Sequence, residues 1–286
     1  MPPVTKASVR GFLGHDAAEE EGFLDVASTF IVNQIIYAVG AKQWPSLLHP
    51  VLYKYLPGFS GLMEQYSNIK DVVQRQMKDK KASGLKPLSD PSRDGRFLVN
   101  LRLHMDIQMS LCAARIHTTT TTIVQCLYDL ASRQQYLPAL RQEVLEVIEE
   151  HENVLKRRPA SKLGDTDSFV KEVQKFCSPD LTTFQRKATA PVTLSNGFHI
   201  PKGARIEVVT AAINANADLH DNPLKSDEAR SKFQVLSVSG LDLSWGYGRA
   251  ACPGRFIADS LTKMVLVKVL KRYDIKMPEA SLDIAQ

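Results

Sequence analysis

Several features that would assign this chain to a specialised class of proteins are missing from its sequence. The four cysteines, Cys112, Cys126, Cys177 and Cys252, have no CxxC spacing, so the sequence predicts neither a zinc site nor a disulfide framework. The first residues lack the long apolar run of a secretory signal. Aromatic residues make up 7% and are not interleaved with basic residues, and the net charge of +5 is modest. We therefore expect no nucleic-acid partner and a reducing, intracellular compartment.

A long membrane-spanning run is also missing. The most apolar stretch, residues 26–40, contains Asn33 and Gln34 and is shorter than the roughly 18 apolar residues that a span needs. We therefore predict a buried helix there and no transmembrane segment in this chain. A membrane-spanning helix is the alternative.

The residues that are present favour a mainly α-helical protein with a small antiparallel β-sheet. Hydrophobic residues make up 44% and charged residues 23%, which is typical of a globular protein. Periodicity predicts one long helix over about 97–133 and shorter amphipathic helices over 62–77, 136–154, 166–176 and 256–273. A hairpin signature, Ser195-Asn196-Gly197, joins strands predicted at 192–194 and 198–200, with further strands at 204–210 and 274–277.

The stretch Trp245–Phe256 combines glycines with a cysteine and a proline just before a helical pattern. Gly246 and Gly248 permit backbone angles that other residues avoid, and Pro253 is suited to the first position of the helix. A thiol at the start of a helix lies near the positive end of the helix dipole, which favours the thiolate. The residues alone leave three readings open for Cys252: a nucleophile, a metal ligand, or a buried cysteine in a glycine-rich turn.

The middle of the predicted long helix has an unusual composition. Five consecutive threonines, Thr118–Thr122, follow His117. Each threonine costs up to about 0.6 kcal/mol of helix stability relative to alanine, so burial or function must offset about 2–3 kcal/mol in all. Threonine hydroxyls also bond to the carbonyl four residues earlier, which bends helices.

The loop at Cys252 resembles the haem-binding loop of the cytochrome P-450 family, F-x-x-G-x-R-x-C-x-G. Trp245 stands for the aromatic residue, and Gly248, Cys252 and Gly254 have the family's spacing. The resemblance implies that Cys252 is the axial thiolate ligand of a haem iron. The loop departs from the pattern two residues before the cysteine, where Ala250 replaces the usual Arg or His; Arg249, one place away, is the candidate to contact a haem propionate.

The central helix resembles the family's A-G-x-D/E-T-T motif, which lies on the oxygen-binding side of the haem. Ala114, His117, Thr118 and Thr119 match its positions, and the long cation Arg115 replaces a small residue. The resemblance implies that Thr118 supports oxygen binding and proton delivery and that His117 relays protons. A core histidine satisfied by a hydrogen bond is the alternative for His117.

Three further family features have altered or candidate counterparts in this chain. The E-x-x-R ion pair that supports the haem-proximal core corresponds to Glu172 and Lys175, and lysine lacks the planar fork of arginine. Arg186 lies where relatives have a propionate-binding arginine, with a solvent-facing strand arginine as the alternative. The segment that supplies the third member of the family's triad is shortened over 223–243, and Arg230 or Lys232 would have to substitute.

The resemblance covers essentially the whole chain and implies a single, incomplete cytochrome P-450 domain over residues 1–286. It comprises the C-terminal larger part of the fold, with a long central helix about 97–133, a small β region about 182–210 and a haem loop 245–254. We expect a fungal, secondary-metabolism type of haem-thiolate monooxygenase that oxidises a hydrophobic small molecule, of terpenoid or indole type, with O2 and an NADPH-dependent reductase. The family's membrane anchor is missing, so we expect a cytoplasmic protein or one peripheral to the endoplasmic reticulum. The alternatives are a truncated, catalytically silent haem binder and a haem-free helical scaffold.

Overall fold

The computed structural model describes residues 2–13, 15–19, 21–82, 94–150, 162–179, 182–216 and 234–278. In these ranges the protein is mostly α-helical with two small antiparallel sheets, which confirms the predicted fold class. The chain divides into two compact units, Met1–Thr120 and Thr121–Gln286, and the long helix α6 contributes residues to both.

The first unit is built from helices. These are α1 (Pro2–Leu13), α2 (His15–Glu19), α3 (Glu21–Lys42), α4 (His49–Leu52), α5 (Phe59–Ala82) and the first part of α6 (Asp94–Ser132), with 3₁₀ turns at Ser46–Leu48 and Tyr53–Tyr55. Its core is a cluster in which Phe30, Ile69 and Met109 join α3, α5 and α6. Gly58 has a φ of +82°, and a Cβ there would lie 2.8 Å from the carbonyl oxygen of Asn33. Glycine is therefore required where the chain turns against α3.

Helix α3 corrects the prediction of a buried helix over residues 26–40. Its first half places Phe23 and Phe30 in the core, but its second half exposes four apolar side chains: Val32, Ile35, Ile36 and Val39. The segment Gly22–Lys42 is long and apolar enough to cross a membrane, and 17% of its most apolar window is buried. The prediction failed because apolar side chains lie all around this helix, so the pattern does not show which side is covered. The neighbouring helices cover only part of its surface.

The second unit contains the end of α6 and four further helices in the described ranges. These are α7 (Leu137–Glu150), α8 (Gly164–Phe176), α9 (Thr210–Ala215) and α10 (Arg255–Arg272), with 3₁₀ turns at Gln134–Tyr136 and Gly248–Ala250. The long helices match their predicted positions to within a few residues. Their core joins Leu130 of α6, Val144 of α7, Val170 of α8 and Leu266 of α10. Helix α7 packs against both α8 and α10.

The β region forms two separate two-stranded sheets. Strand β1 (Thr182–Lys187) pairs antiparallel with β4 (Arg205–Val209), and β2 (Val192–Thr193) pairs antiparallel with β3 (His199–Ile200). The second pair is the predicted hairpin, and Gly197 in its turn has a φ of +85°. The predicted strand over 204–210 is also present, but it pairs with β1.

The predicted strand over 274–277 is not formed. Residues 273–278 have no regular secondary structure. Two side chains bond to this segment: the Arg141 guanidinium donates to the carbonyl oxygen of Tyr273 at 2.6 Å, and the Gln134 amide donates to that of Ile275 at 2.7 Å. These two carbonyl groups are therefore satisfied by side chains instead of a neighbouring strand.

Candidate functional site

The loop before Cys252 is a tight turn that only glycine permits at two positions. Gly246 has a φ of +71° and Gly248 a φ of +63°. A Cβ at Gly246 would lie 3.2 Å from the carbonyl oxygen of Ala250. The backbone N–H of Gly246 donates to Leu243 at 2.8 Å, and that of Cys252 donates to Trp245 at 2.7 Å. These bonds close the loop and fix the backbone of the cysteine.

Cys252 is half-buried and precedes helix α10 by three residues. The helix begins at Arg255 with Gly254 as its N-cap, so the prediction that Pro253 is the first helical residue is wrong. Arg255 instead donates to the carbonyl oxygen of Cys252 at 2.9 Å, which ties the cysteine to the start of the helix. A Cβ at Gly254 would lie 3.7 Å from the Cys252 sulfur, so glycine keeps the surface beside the thiol free of side chains.

The indole of Trp245 anchors the loop to the core of the second unit. Its Nε1 donates to the carbonyl oxygen of Val235 at 2.5 Å, and its side chain packs against the buried apolar cluster. The N–H of Val235 in turn donates to a carboxylate oxygen of Asp167 at 3.0 Å. Trp245 matches the aromatic position of the family's haem-binding loop, for which it is a candidate cofactor-binding residue, and it also holds the loop against the core.

Buried ion pairs beside this loop are the main feature that the sequence did not predict. Lys263, of which 4% of the side chain is exposed, lies 2.6 Å from Asp167 and 3.0 Å from Asp259. Lys171 of helix α8 forms a second buried ion pair with Asp242. Asp167 and Lys171 are spaced i,i+4 on α8, and Asp259 and Lys263 on α10. This i,i+4 spacing of acidic and basic residues was the only sign of the ion pairs that the sequence offered.

Charge and burial act in opposite directions on these groups. Burial alone lowers the pKa of Lys263, but the hydrogen bond to Asp167 and the charges of Asp259 and Asp167 outweigh it and raise the pKa. Burial raises the pKa of Asp259, and Lys263 opposes that change. Lys263 is therefore held as a cation between two carboxyl groups.

Both arginines predicted to contact a haem propionate lie on the surface. Arg249 is exposed in the 3₁₀ turn next to Ala250. Arg186 is exposed on β1 and donates to the carbonyl oxygen of Gln185 at 2.8 Å. A guanidinium group is well suited to bind carboxylates, and both roles stay predictions.

The predicted catalytic residues lie on α6 in the first unit. His117 Nε2 is 2.9 Å from the carbonyl oxygen of Ser28; because a carbonyl only accepts, Nε2 carries the proton. The Thr118 hydroxyl donates to the carbonyl oxygen of Ala114 at 2.7 Å, the bond four residues back that threonine often makes. The hydroxyl oxygens of Thr119 and Thr120 are buried and have no hydrogen-bond partner among the described residues. The His117 ring therefore has a hydrogen-bond partner in the protein, which fits the alternative of a core histidine; its role in proton relay stays a prediction.

The expected ion pair of the E-x-x-R motif is not formed. Glu172 is exposed, and the Lys175 ammonium lies 5.3 Å from the centre of the Phe176 ring. Within the described ranges these two residues make no ion pair with each other, because α8 turns this face outward. Arg230 and Lys232, the proposed substitutes for the third member of the triad, lie outside the described residues.

The structure brings some of the predicted site residues together. Trp245, Gly248, Arg249, Cys252 and Gly254 lie on one loop of the second unit, and Arg186 lies on a strand of the same unit. His117, Thr118 and Thr119 are consecutive on α6 in the first unit.

Comparison with known proteins agrees with the resemblance of the loop. Residues 34–284 match the family model for cytochrome P-450. The chain is 30% identical over 301 residues to the cytochrome P-450 monooxygenase braC of Annulohypoxylon truncatum, covering 97% of this chain and 60% of that protein. It is 28% identical over 295 residues to the ent-kaurene oxidase of Gibberella intermedia, covering 96% of this chain and 55% of that protein.

The chain thus spans less than two thirds of the length of these curated relatives. The match nevertheless covers most of the chain itself and includes the loop at Cys252 and the threonine run of α6. The protein belongs to the cytochrome P-450 family.

Proposed function

We propose that this chain is part of a haem-thiolate monooxygenase in which Cys252 is the iron ligand. The observation that carries the proposal is the half-buried thiol in a loop bracketed by glycines at the start of α10, in a chain of this family. The enzyme would use O2 and electrons from an NADPH-dependent reductase to oxidise a hydrophobic small molecule. When bound, the haem would supply the oxygen chemistry, which a thiolate ligand favours.

The residues of the loop fit a flat porphyrin. Gly246, Gly248 and Gly254 bear no side chains, and a Cβ at Gly254 would lie 3.7 Å from the Cys252 sulfur, so no side chain from these three positions would block a planar group at the thiol. Arg249 is exposed on the same loop and would bind a carboxylate of the group. Arg186 is the second candidate for such a contact.

Residues of α6 would handle the proton. His117 Nε2 carries a proton and donates to the carbonyl oxygen of Ser28, which fixes the ring and makes Nδ1 the nitrogen that would take up a proton. The buried hydroxyl of Thr119 has no partner among the described residues and would donate to a water molecule or a substrate oxygen. The hydroxyl of Thr118, the other threonine of the motif, would act together with that of Thr119.

We infer a terpenoid or an indole-type secondary metabolite as the substrate. The name of one relative, ent-kaurene oxidase, gives a terpenoid hydrocarbon as the compound oxidised. The name of the other relative, a monooxygenase, gives no substrate. The relatives' names therefore support a terpenoid more than an indole.

We also propose that the protein is intracellular, either cytoplasmic or bound peripherally at the endoplasmic reticulum. The exposed apolar side chains of α3, among them Ile35 at 56% and Val39 at 52% exposure, support contact with a lipid surface. Replacing both residues by serine should lower binding to phospholipid vesicles in co-sedimentation. Unchanged binding would count against the peripheral location, and a parent protein that does not bind vesicles would favour the cytoplasmic one.

The ligand is tested by the absorption spectrum of the reduced, CO-bound protein after haem loading. We expect the red-shifted Soret band of thiolate ligation, which Cys252→Ala should abolish. Cys177→Ala is the matched control, because Cys177 is also partly buried, and it should keep the band. A band typical of histidine-ligated or unligated haem in the parent protein, or colourless protein, would refute the assignment.

A catalytically silent haem binder is the second candidate. The unformed Glu172–Lys175 pair and the alanine at Ala250 favour it. NADPH consumption with a reductase, coupled to an oxidised product, would identify the enzyme. The thiolate band without product formation would identify the silent binder.

A further inference from the structure

A chain of hydrogen bonds joins helix α8 to the backbone of Cys252. A carboxylate oxygen of Asp167 accepts the N–H of Val235 at 3.0 Å. The carbonyl oxygen of Val235 accepts the indole N–H of Trp245 at 2.5 Å. The carbonyl oxygen of Trp245 then accepts the N–H of Cys252 at 2.7 Å. Three bonds therefore connect one buried carboxylate to the candidate ligand.

The carboxylate at the start of this chain is itself held in place. Lys263 donates to the other oxygen of Asp167 at 2.6 Å, and only 16% of the Asp167 side chain is exposed. Hydrogen bonds to an ionised group in a mostly buried position are stronger than neutral ones. The ion pair with Lys263 thus fixes the Asp167 carboxylate on α8, and the chain of hydrogen bonds from this carboxylate positions the loop.

A second connection reaches the same loop from the next turn of α8. Lys171 forms its buried ion pair with Asp242. The other oxygen of Asp242 accepts the N–H of Ser244 at 3.2 Å, and Ser244 directly precedes Trp245. Lys171 therefore fixes the beginning of the segment that Asp167 fixes through the indole.

We propose that Asp167 and Lys171 are positioning residues for the Cys252 ligand. They occupy the inward face of α8, whereas Glu172, which matches the family's motif, lies on the exposed face. Residues behind a metal ligand orient it, and their loss weakens metal binding even when the ligand is intact. This inference rests on the proposed function, because it concerns the thiolate that the proposal assigns to iron.

The first test does not depend on haem. Hydrogen–deuterium exchange of a peptide covering residues 242–252 reports on the bonded N–H groups of Ser244 and Cys252. Asp167→Asn and Lys171→Met should each speed this exchange about fivefold to tenfold, as expected for the loss of one or two supporting hydrogen bonds. Asp165→Asn is the matched control, because Asp165 is exposed on the same helix. Exchange of the loop peptide in this variant should match that in the parent.

The second test is spectroscopic. In haem-loaded, CO-bound protein, Asp167→Asn and Lys171→Met should lower the fraction of the thiolate Soret band several-fold. The conservative variants Asp167→Glu and Lys171→Arg should restore most of it. Far-UV circular dichroism of each variant identifies those that fail to fold. If Asp167→Asn or Lys171→Met is among them, the exchange and the thiolate band of Asp167→Glu and Lys171→Arg are compared with those of the parent instead.

The outcomes separate the two proposals. Parent-like exchange in Asp167→Asn and Lys171→Met overturns the positioning role, whatever the spectra show. Faster exchange with an unchanged thiolate fraction also overturns it, because the loop would then be loosened without effect on the ligand. Faster exchange in the variants, together with a parent protein that never gives the thiolate band, refutes the proposed function and leaves the connection to the loop established.

Discussion

In helix α6, Thr119 and Thr120 bury hydroxyl oxygens that have no partner among the described residues, whereas the charges buried around α8 and α10 are paired. The contrast follows from the cost of removing each group from water. A buried hydroxyl without a partner costs about 1–3 kcal/mol, which a helix can tolerate, but an unpaired buried charge costs far more. The protein therefore tolerates two buried hydroxyl groups without partners in α6, whereas the charged groups around α8 and α10 are paired.

The largest effect should come from Lys263→Met. The substitution leaves Asp167 and Asp259 as neighbouring carboxyl groups without their cation, and breaking such a pair should cost about 3–5 kcal/mol of unfolding free energy. Urea unfolding in a Trp44→Phe background, which leaves Trp245 as the fluorescent reporter of the second unit, measures the loss. Lys268→Met, at an exposed position of the same helix, is the control and should change stability by less than about 0.5 kcal/mol.

Thr166→Val should have the next largest effect. Thr166 is fully buried, and its hydroxyl donates to a carboxylate oxygen of Glu143 at 2.7 Å. A hydrogen bond to a charged group contributes about 1.5–3 kcal/mol, so we expect a loss of that size in the same unfolding assay. A loss below about 0.5 kcal/mol would show that pairing is not what distinguishes the two regions.

Alkaline pH tests whether the comparison extends to buried thiols. Burial raises the pKa of Cys112 to about 11 and that of Cys126 to about 12, from 9.0. Because the folded values are the higher ones, the thiols favour the folded state below pH 9, and this stability is lost as pH rises toward the folded values. Between pH 8 and pH 10 each thiol should cost about 1.4 kcal/mol.

The raised pKa of Lys263 acts in the same direction at higher pH, because its stabilising charge is lost there. Unfolding curves for the parent and for Cys126→Ala give the measurement. The variant starts less stable because of its cavity, but its stability should fall less steeply with pH. Equal slopes would contradict the assignment to the thiol.

The smallest effect is expected for Thr119→Val. Only 2% of Thr119 is exposed and its hydroxyl has no partner among the described residues, so removing it should leave stability unchanged or raise it by about 1 kcal/mol. The same substitution thus has opposite consequences at Thr119 and Thr166. A loss of 1.5 kcal/mol or more at Thr119 would show that its hydroxyl is bonded.

The sequence predicted most of the helices and the glycine-bracketed loop, because amphipathic periodicity and turn residues are local signals. It did not predict which side of α8 is buried. The motif drew attention to Glu172, whereas packing placed Asp167 and Lys171 inside. Acid–base pairs spaced i,i+4 are common on solvated helices, so spacing alone could not show that Lys263 would reach across to α8.

Two other differences have the same origin. Helix α3 is apolar on all sides, so its periodicity could not show that Ile35 and Val39 would be exposed. The segment 274–277 alternates as a strand does, but its Ile275 carbonyl accepts from Gln134, and the Tyr273 carbonyl just before it accepts from Arg141. In each case the outcome depended on a partner distant in the chain.

The backbone angles of the loop also limit how this protein can be varied in the laboratory. Positions 246 and 248 accept only glycine without strain, so libraries that randomise the whole loop will lose most of their members there. Tyr247 and Ala250 are exposed beside them and carry no such restriction. Directed evolution aimed at the surroundings of the thiol should therefore recover its diversity at those two positions, with Arg249 kept for its proposed contact.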